Sequence, residues 1–203
     1  MPGTSANWDT DLFYKINTVW TNSFLDHNLP WWRDSTTWYP AYMFLLVFTL
    51  VNFGWRAWTW MVFIALNVTI TDQLSSSVIK HWVPRLRLCQ DPNMVGYARM
   101  LLNHCSGGGS FPSSHATNHF GAAVFIFFTL KKYTGNWIYL FFFWAFSISY
   151  SQVYVGVHYP TDVIGGALIG SIVGYSVAFI YNKTIGLPEL KSNDLIKPNK
   201  LVI

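Results

Sequence analysis

From Asp11 to Leu25 the apolar residues Leu12, Phe13, Ile16, Val19, Trp20 and Phe24 recur at helical spacing, with Lys15, Asn17 and Asn22 between them. Such a stripe predicts an amphipathic helix lying in a membrane interface, or a short helix packed on a membrane domain. Trp31, Trp32 and Trp38 follow, and amphipathic indole rings favour the headgroup level. After them the polar residues withdraw into the gaps between long apolar blocks. The blocks 38–53, 58–79, 116–130, 137–150 and 162–181 each read as a spanning helix. Pro40 suits the opening of the first, and a tight turn over Gly54 to Ala57 separates it from the second. The expected fold is therefore all-α: a polytopic membrane helix bundle of about five spans plus an amino-terminal interfacial helix. One domain accounts for 1–203, with an interfacial segment 1–36, a membrane core 37–181 and a polar tail 182–203 carrying Lys183, Lys191, Lys197 and Lys200.

Composition points the same way. Of 203 residues, 52% are hydrophobic, 19% aromatic and 11% charged, where a soluble domain carries roughly 25% charged residues. That excludes an ordinary soluble enzyme. The net charge is +4, yet no basic cluster forms a nucleic-acid face, so the excess reads as topology and phosphate binding. The first eleven residues lack an apolar core, so no cleavable signal peptide is expected and the spans would direct insertion themselves. Five spans place Arg56, Lys131, Lys132 and the tail on one side, and the loop from Lys80 to His115, the His158 turn and the amino terminus on the other. Positive charge marks the cytoplasmic side, so that loop and turn are expected to face periplasm or exterior. Cys89 and Cys105 share the outer loop and could join in a disulfide; the alternative is two free thiols.

Polar residues inside the apolar blocks carry the functional signal. The second half of the second block holds Asn67, Thr69, Asp72, Gln73 and three serines, which must face other helices or a wet cavity. Asp72, Ser76 and Lys80 fall at i, i+4 and i+8 on one helical face, which predicts either an Asp72–Lys80 pair or an interhelical hydrogen bond. Gly166, Gly170 and Gly174 repeat in line with Asp162 and would let another helix approach closely.

Three polar clusters are expected on one membrane face. Lys80 and Arg87 supply fixed positive charge, and a guanidinium can grip two phosphate oxygens at once. Ser113 and Ser114 stand at a helix amino terminus behind Gly107 to Gly109, where free N–H groups and the helix dipole attract phosphate. His115 lies beside them, able to donate a proton. His158 precedes Asp162 by four residues, and Pro160 suits the first position of the next helix. The carboxylate can hold one ring nitrogen and leave the other free to attack. Cations, N–H groups, an acid and a nucleophile are the equipment for phosphoryl transfer through a phosphohistidine. His115 and His119 lie one turn apart, which could suit zinc, but no nearby Cys, His and carboxylate set completes a site. His27, His81 and His104 read as interfacial or loop residues.

These clusters resemble the type 2 phosphatidic acid phosphatase family. Its pattern is Lys, six residues, Arg-Pro; then Pro-Ser-Gly-His; then Ser-Arg, five residues, His, three residues, Asp. Here stand Lys80, six residues, Arg87-Leu88; Pro112-Ser113-Ser114-His115; and Ser151-Gln152, five residues, His158, three residues, Asp162. The resemblance implies that His158 is the nucleophile, Asp162 its orienter and His115 the acid. It implies a phosphate cradle of Lys80, Arg87, Ser113, Ser114 and Gln152, and no metal or other cofactor. Three positions depart: Leu88 for proline, Ser114 for glycine and Gln152 for a phosphate-holding arginine, whose charge Arg85 or Arg99 could replace. The expected activity is an integral membrane lipid phosphatase acting on undecaprenyl diphosphate, with phosphatidylglycerophosphate and phosphatidic acid as alternatives. A lipid phosphotransferase, or a lipid-binding homologue weakened by Gln152, is the competing reading.

Overall fold

The computed structural model describes residues 7–102, 105 and 107–188. The tail residues Lys191, Lys197 and Lys200, together with His104, lie outside that range. Among the described residues every regular element is helical and no strand occurs.

The amino-terminal stripe forms two helices, not one. Helix α1 is Trp8–Tyr14, opened by Asn7, whose side chain accepts the Asp9 N–H. It widens into a π-type turn, Lys15–Val19. Helix α2 is Ser23–Trp32, capped by the Asn22 side chain on the Leu25 N–H at 2.8 Å. The break has a chemical cause. Asn17 is fully buried and its side chain bonds the Arg99 and Tyr154 carbonyls and the Arg99 N–H. Phe13, Ile16 and Leu29 are buried in a cluster with Val153, Tyr154, Val157 and Tyr159. The segment is packed onto the protein and underpins the turn that follows Tyr154.

The longer helices are α3, Tyr39–Phe53; α4, Arg56–Trp82; α5, Ser114–Thr134; α6, Tyr139–Tyr154; and α7, Pro160–Thr184. Pro40 and Pro160 sit in the first turns of α3 and α7, where the missing N–H costs nothing. Helices α4 and α7 are long and apolar enough to cross a bilayer by length and composition. Within α4 a π-type turn spans Leu74–Ile79.

Helices α5 and α7 form the most extensive pair. Gly166, Gly170 and Gly174 are buried along α7 against Ser113, Thr117 and Gly121 of α5, so close that a Cβ at Gly166 would lie 2.6 Å from the Ser113 oxygen. This close approach fixes α7, which begins beside His158, against α5, which begins beside His115. Toward the far end, Phe125, Ile126 and Leu130 of α5 bury Val177, Ala178 and Tyr181 of α7 with Trp60 of α4. The outside of the bundle is apolar: Val51, Phe143, Leu168 and Ile172 are exposed. Polar Asn67, Thr71, Ser75 and Thr117 are buried inside. Apolar outside and polar inside is the arrangement expected where the surrounding solvent is lipid.

Candidate active site

The site is built outward from Asp162, which is wholly buried at the third position of α7. Each oxygen has its own partners. Oδ1 accepts from Arg85 Nη1 at 2.6 Å. Oδ2 accepts from Ser110 Oγ at 2.5 Å and from the Tyr159 N–H at 2.9 Å. The His158 Nδ1 lies 3.5 Å from Oδ2, longer than an ordinary hydrogen bond. Nδ1 has no nearer partner, and catalytic hydrogen bonds of this kind tighten on substrate binding. The carboxylate is therefore held in place and faces one imidazole nitrogen, which leaves Nε2 free.

The turn carrying His158 is fixed from behind. Gly156 takes φ +86°, a conformation that side chains resist. The Gln152 carbonyl accepts the N–H groups of Val157 at 3.0 Å and His158 at 3.3 Å. His158 is 2% exposed. Burial holds its imidazole down at about 4 against the ordinary 6.5, with Asp162 opposing that shift and Arg87 adding to it. The ring stays neutral, hence nucleophilic, well below neutrality.

Opposite it lies the start of α5. Ser113 caps the helix through its side chain and donates its own N–H to the Asp162 carbonyl at 3.0 Å. This hydrogen bond ties the beginnings of α5 and α7 together. His115 is the second residue of α5, close to Arg33, His158 and Lys80. Lys80 Nζ donates to Ser114 Oγ at 2.9 Å, so the hydroxyl standing in place of a glycine positions the lysine.

A family model described as the PAP2 superfamily matches residues 59–185. The chain belongs to the PAP2 superfamily. It is 36% identical to a lipid A 4'-phosphatase of Bacteroides thetaiotaomicron over 86% of this chain and 77% of that protein. It is 46% identical to an undecaprenyl-diphosphatase of Sulfolobus acidocaldarius over 32% of this chain and 31% of that one. Its fold resembles the crystal structure of a transmembrane PAP2 type phosphatidylglycerolphosphate phosphatase from Bacillus subtilis, with a TM-score of 0.66 and 22% identity over 89% of each chain.

The residues expected to form the site, Lys80, Arg87, Ser113, Ser114, His115, His158 and Asp162, come together at one end of the bundle. Of the two readings of Asp72, the interhelical hydrogen bond is the one found: Asp72 Oδ1 of α4 accepts from Asn118 Nδ2 of α5 at 3.0 Å, and the π-type turn between Asp72 and Lys80 shifts the helical register away from an ion pair. Two expectations need correcting. Arg85 does not replace the missing charge at 152. It lies behind Asp162, bonded to Asp162, Thr161 and Asp9 at 2.6 Å each, with its guanidinium 4.1 Å from the centre of the Tyr159 ring. Arg99 does not replace it either, being paired with Asp26 at 2.7 Å. Leu88 is wholly buried in the cluster beneath the site, so the departure from proline is absorbed by packing. Cys89 and Cys105 are joined, with their Cα atoms 6.0 Å apart.

The sequence reading missed four residues that contact this cluster. Asp9 is 2% exposed and accepts from Arg85, the Thr161 N–H and Thr161 Oγ1. Ser110, at the end of the glycine run, bonds Asp162. Thr161 bridges Asp9 and Arg85. Arg33, just beyond α2, donates to Gln152 Oε1 through Nε at 3.2 Å and Nη2 at 3.0 Å. One turn along α5 from His115, a cavity of about 500 Å³ lies between α3, α4, α5 and α6. It is lined by apolar side chains such as Leu45, Ile64 and Ile126, with Asn118 and His119 also on its wall.

Proposed function

We propose that this chain is an integral membrane lipid phosphatase that hydrolyses a phosphate ester of a lipid through a phosphohistidine. The supporting observation is His158 held between opposite charges: Asp162 at Nδ1, and Lys80 and Arg87 near enough to act on the ring. His158 Nε2 attacks phosphorus, a P–N bond forms, and the P–O bond to the lipid breaks. His115 gives its proton to the departing lipid oxygen. Water then attacks the phosphorus while His115 takes its proton; the P–N bond breaks, His158 is restored and inorganic phosphate leaves. Lys80, Arg87, Ser113 and the backbone at Ser114 hold the phosphate oxygens, and Asp162 orients His158 and balances the charge it acquires. The apolar cavity beside His119 suits a lipid chain, so the substrate would keep its chain in the bundle and its phosphate at the rim. All five apolar blocks cross the bilayer in this reading, with the site at the periplasmic or outer face.

The leading substrate is the 4'-phosphate of lipid A. Similarity to a protein of that activity runs through 86% of this chain. Undecaprenyl diphosphate, which the sequence alone favours, is the second reading, because relatives named for that activity match over 32%, 50% and 57% of the chain, less than the 86% of the lipid A 4'-phosphatase. Phosphate release from purified protein in detergent, with lipid A, undecaprenyl diphosphate and phosphatidylglycerophosphate offered separately, tests both. Release from lipid A at the highest kcat/KM supports the first reading, and a preference for the diphosphate supports the second. Absence of release from all three, or transfer of phosphate only to an added acceptor lipid, would overturn the phosphatase.

A further inference from the structure

Five arginine and lysine side chains surround the site, and they fall into two groups. Arg85 and Arg99 are each bonded to carboxylates, Arg85 to Asp9 and Asp162, Arg99 to Asp26. Lys80, Arg87 and Arg33 make no ion pair among the described residues. Lys80 touches the Ser114 hydroxyl. Arg87 is 5% exposed and its Nε has no partner. Arg33 holds only the neutral carbonyl of Gln152, and its nearest acid in sequence, Asp34, caps the following turn through Thr36. Arg33 and Arg87 are close enough for their charges to repel, and Arg33 and Lys80 both act on His115. Three cations converge with no carboxylate in ion-pair contact among the described residues, Asp72, Asp162 and Asp34 acting on them only from a distance, and such a cluster calls for an anion.

Gln152 explains how Arg33 is held there. The amide is wholly buried on α6. A guanidinium can only donate, so the Gln152 oxygen must face Arg33. The amide nitrogen is then left buried and without a partner. The polypeptide path is held as well. Trp32 Nε1 donates to Ser147 Oγ at 2.9 Å and Trp38 Nε1 to the Trp32 carbonyl at 2.8 Å, which clamps the chain on either side of Arg33 to α6.

We propose that Arg33 is a phosphate ligand of this site: the charge absent from position 152 is supplied by the amino-terminal segment, with Gln152 bracing the guanidinium and offering its own N–H to the same phosphate. This inference rests on the phosphatase reading for turnover, but it makes a separate claim about anion affinity.

The test measures two quantities on Arg33→Gln: kcat/KM for phosphate release from lipid A, and the dissociation constant of inorganic phosphate by calorimetry. Loss of a charged hydrogen-bonding ligand is expected to lower kcat/KM and weaken phosphate binding, each by about 10- to 100-fold. The double variant R33Q/Q152R moves the charge onto α6 and is expected to recover at least tenfold in both. Arg33→Lys keeps the charge but loses the forked hold, and phosphate binding should weaken by about 3- to 10-fold; this variant also serves if Arg33→Gln does not fold. Phosphate affinity within twofold of the parent in Arg33→Gln, or in Arg33→Lys where only that variant folds, would overturn the proposal. So would a loss of turnover with unchanged phosphate affinity, the mark of a merely structural role. If the parent releases no phosphate from any lipid, the phosphatase reading fails, while the calorimetry still decides on Arg33.

Discussion

Gly166→Ala tests whether the close approach of α5 and α7 sets the catalytic geometry. A Cβ there would lie 2.6 Å from the Ser113 oxygen, 3.0 Å from Thr117 Oγ1 and 3.1 Å from Ala116 Cβ. Ordinary contact begins near 3.4 Å, so the two helices must part by about 0.8 Å at this level. Two of the three atoms met belong to backbone or to a Cβ, which cannot rotate away. Ser113 is the cap of α5, and its N–H reaches the Asp162 carbonyl at 3.0 Å, so the displacement falls on the link between His115 and His158. Misplacement of reacting groups on the scale of 1 Å costs on the order of 100-fold in rate, which sets an expected loss of about 10- to 100-fold in kcat/KM. Overpacking adds about 1–3 kcal/mol of destabilisation. Phosphate release in detergent gives the first quantity and thermal unfolding the second. Gly107→Ala, whose Cβ would meet nothing within 4 Å, is the control and should match the parent. A Gly166→Ala protein with parental turnover and stability would refute the idea that this helix contact holds the site together.

Other expectations follow from the same geometry. Asp9→Asn removes a buried carboxylate from Arg85 and Thr161, and should lower stability by about 1–3 kcal/mol in thermal or denaturant unfolding. His158 is held at about 4 in the folded protein against the ordinary 6.5 for an exposed imidazole. A lowered folded value means that stability is whole above about 6.5 and is lost as pH falls toward 4. For the same reason, a pH–rate profile of kcat/KM should show no loss of free His158 near 6.5; an acid limb there in which His158 is the titrating group would contradict its burial. Replacing Cys89 and Cys105 by serine opens a bridge between residues 16 apart, and should cost about 3 kcal/mol of stability, read as a lower thermal midpoint in the parent under reducing conditions as well.

What the sequence makes legible is what is local along the chain. The all-helical architecture follows from the apolar blocks, and the motif residues from 80 to 162 are readable because each group lies within a few residues of a helix end. His158 and Asp162 are four apart, and a turn followed by Pro160 keeps them close along the chain. Long-range partners leave no such trace. Asp9 reaches Thr161 across 152 residues of chain and Arg33 reaches Gln152 across 119. Asp9 and Arg33 flank the stripe 11–25, whose hydrophobic spacing describes only an amphipathic helix, and periodicity does not say what the polar residues on either side of it will meet. The Asp72–Lys80 alignment failed for a related reason: a helical wheel assumes a constant turn, and the π-type turn at Leu74–Ile79 breaks that assumption. The departure at position 152 was visible, but its replacement was not, because the substituting charge arrives through tertiary packing of Trp32 and Trp38 on α6.

The most direct test is chemical trapping. Rapid quenching of the protein with a lipid substrate labelled in its phosphate, followed by digestion and mass spectrometry under alkaline conditions, should find acid-labile phosphate on the peptide containing His158. The same experiment on His158→Ala should find none and no turnover. Phosphate release by His158→Ala, or a covalent phosphate on any other residue, would contradict the mechanism.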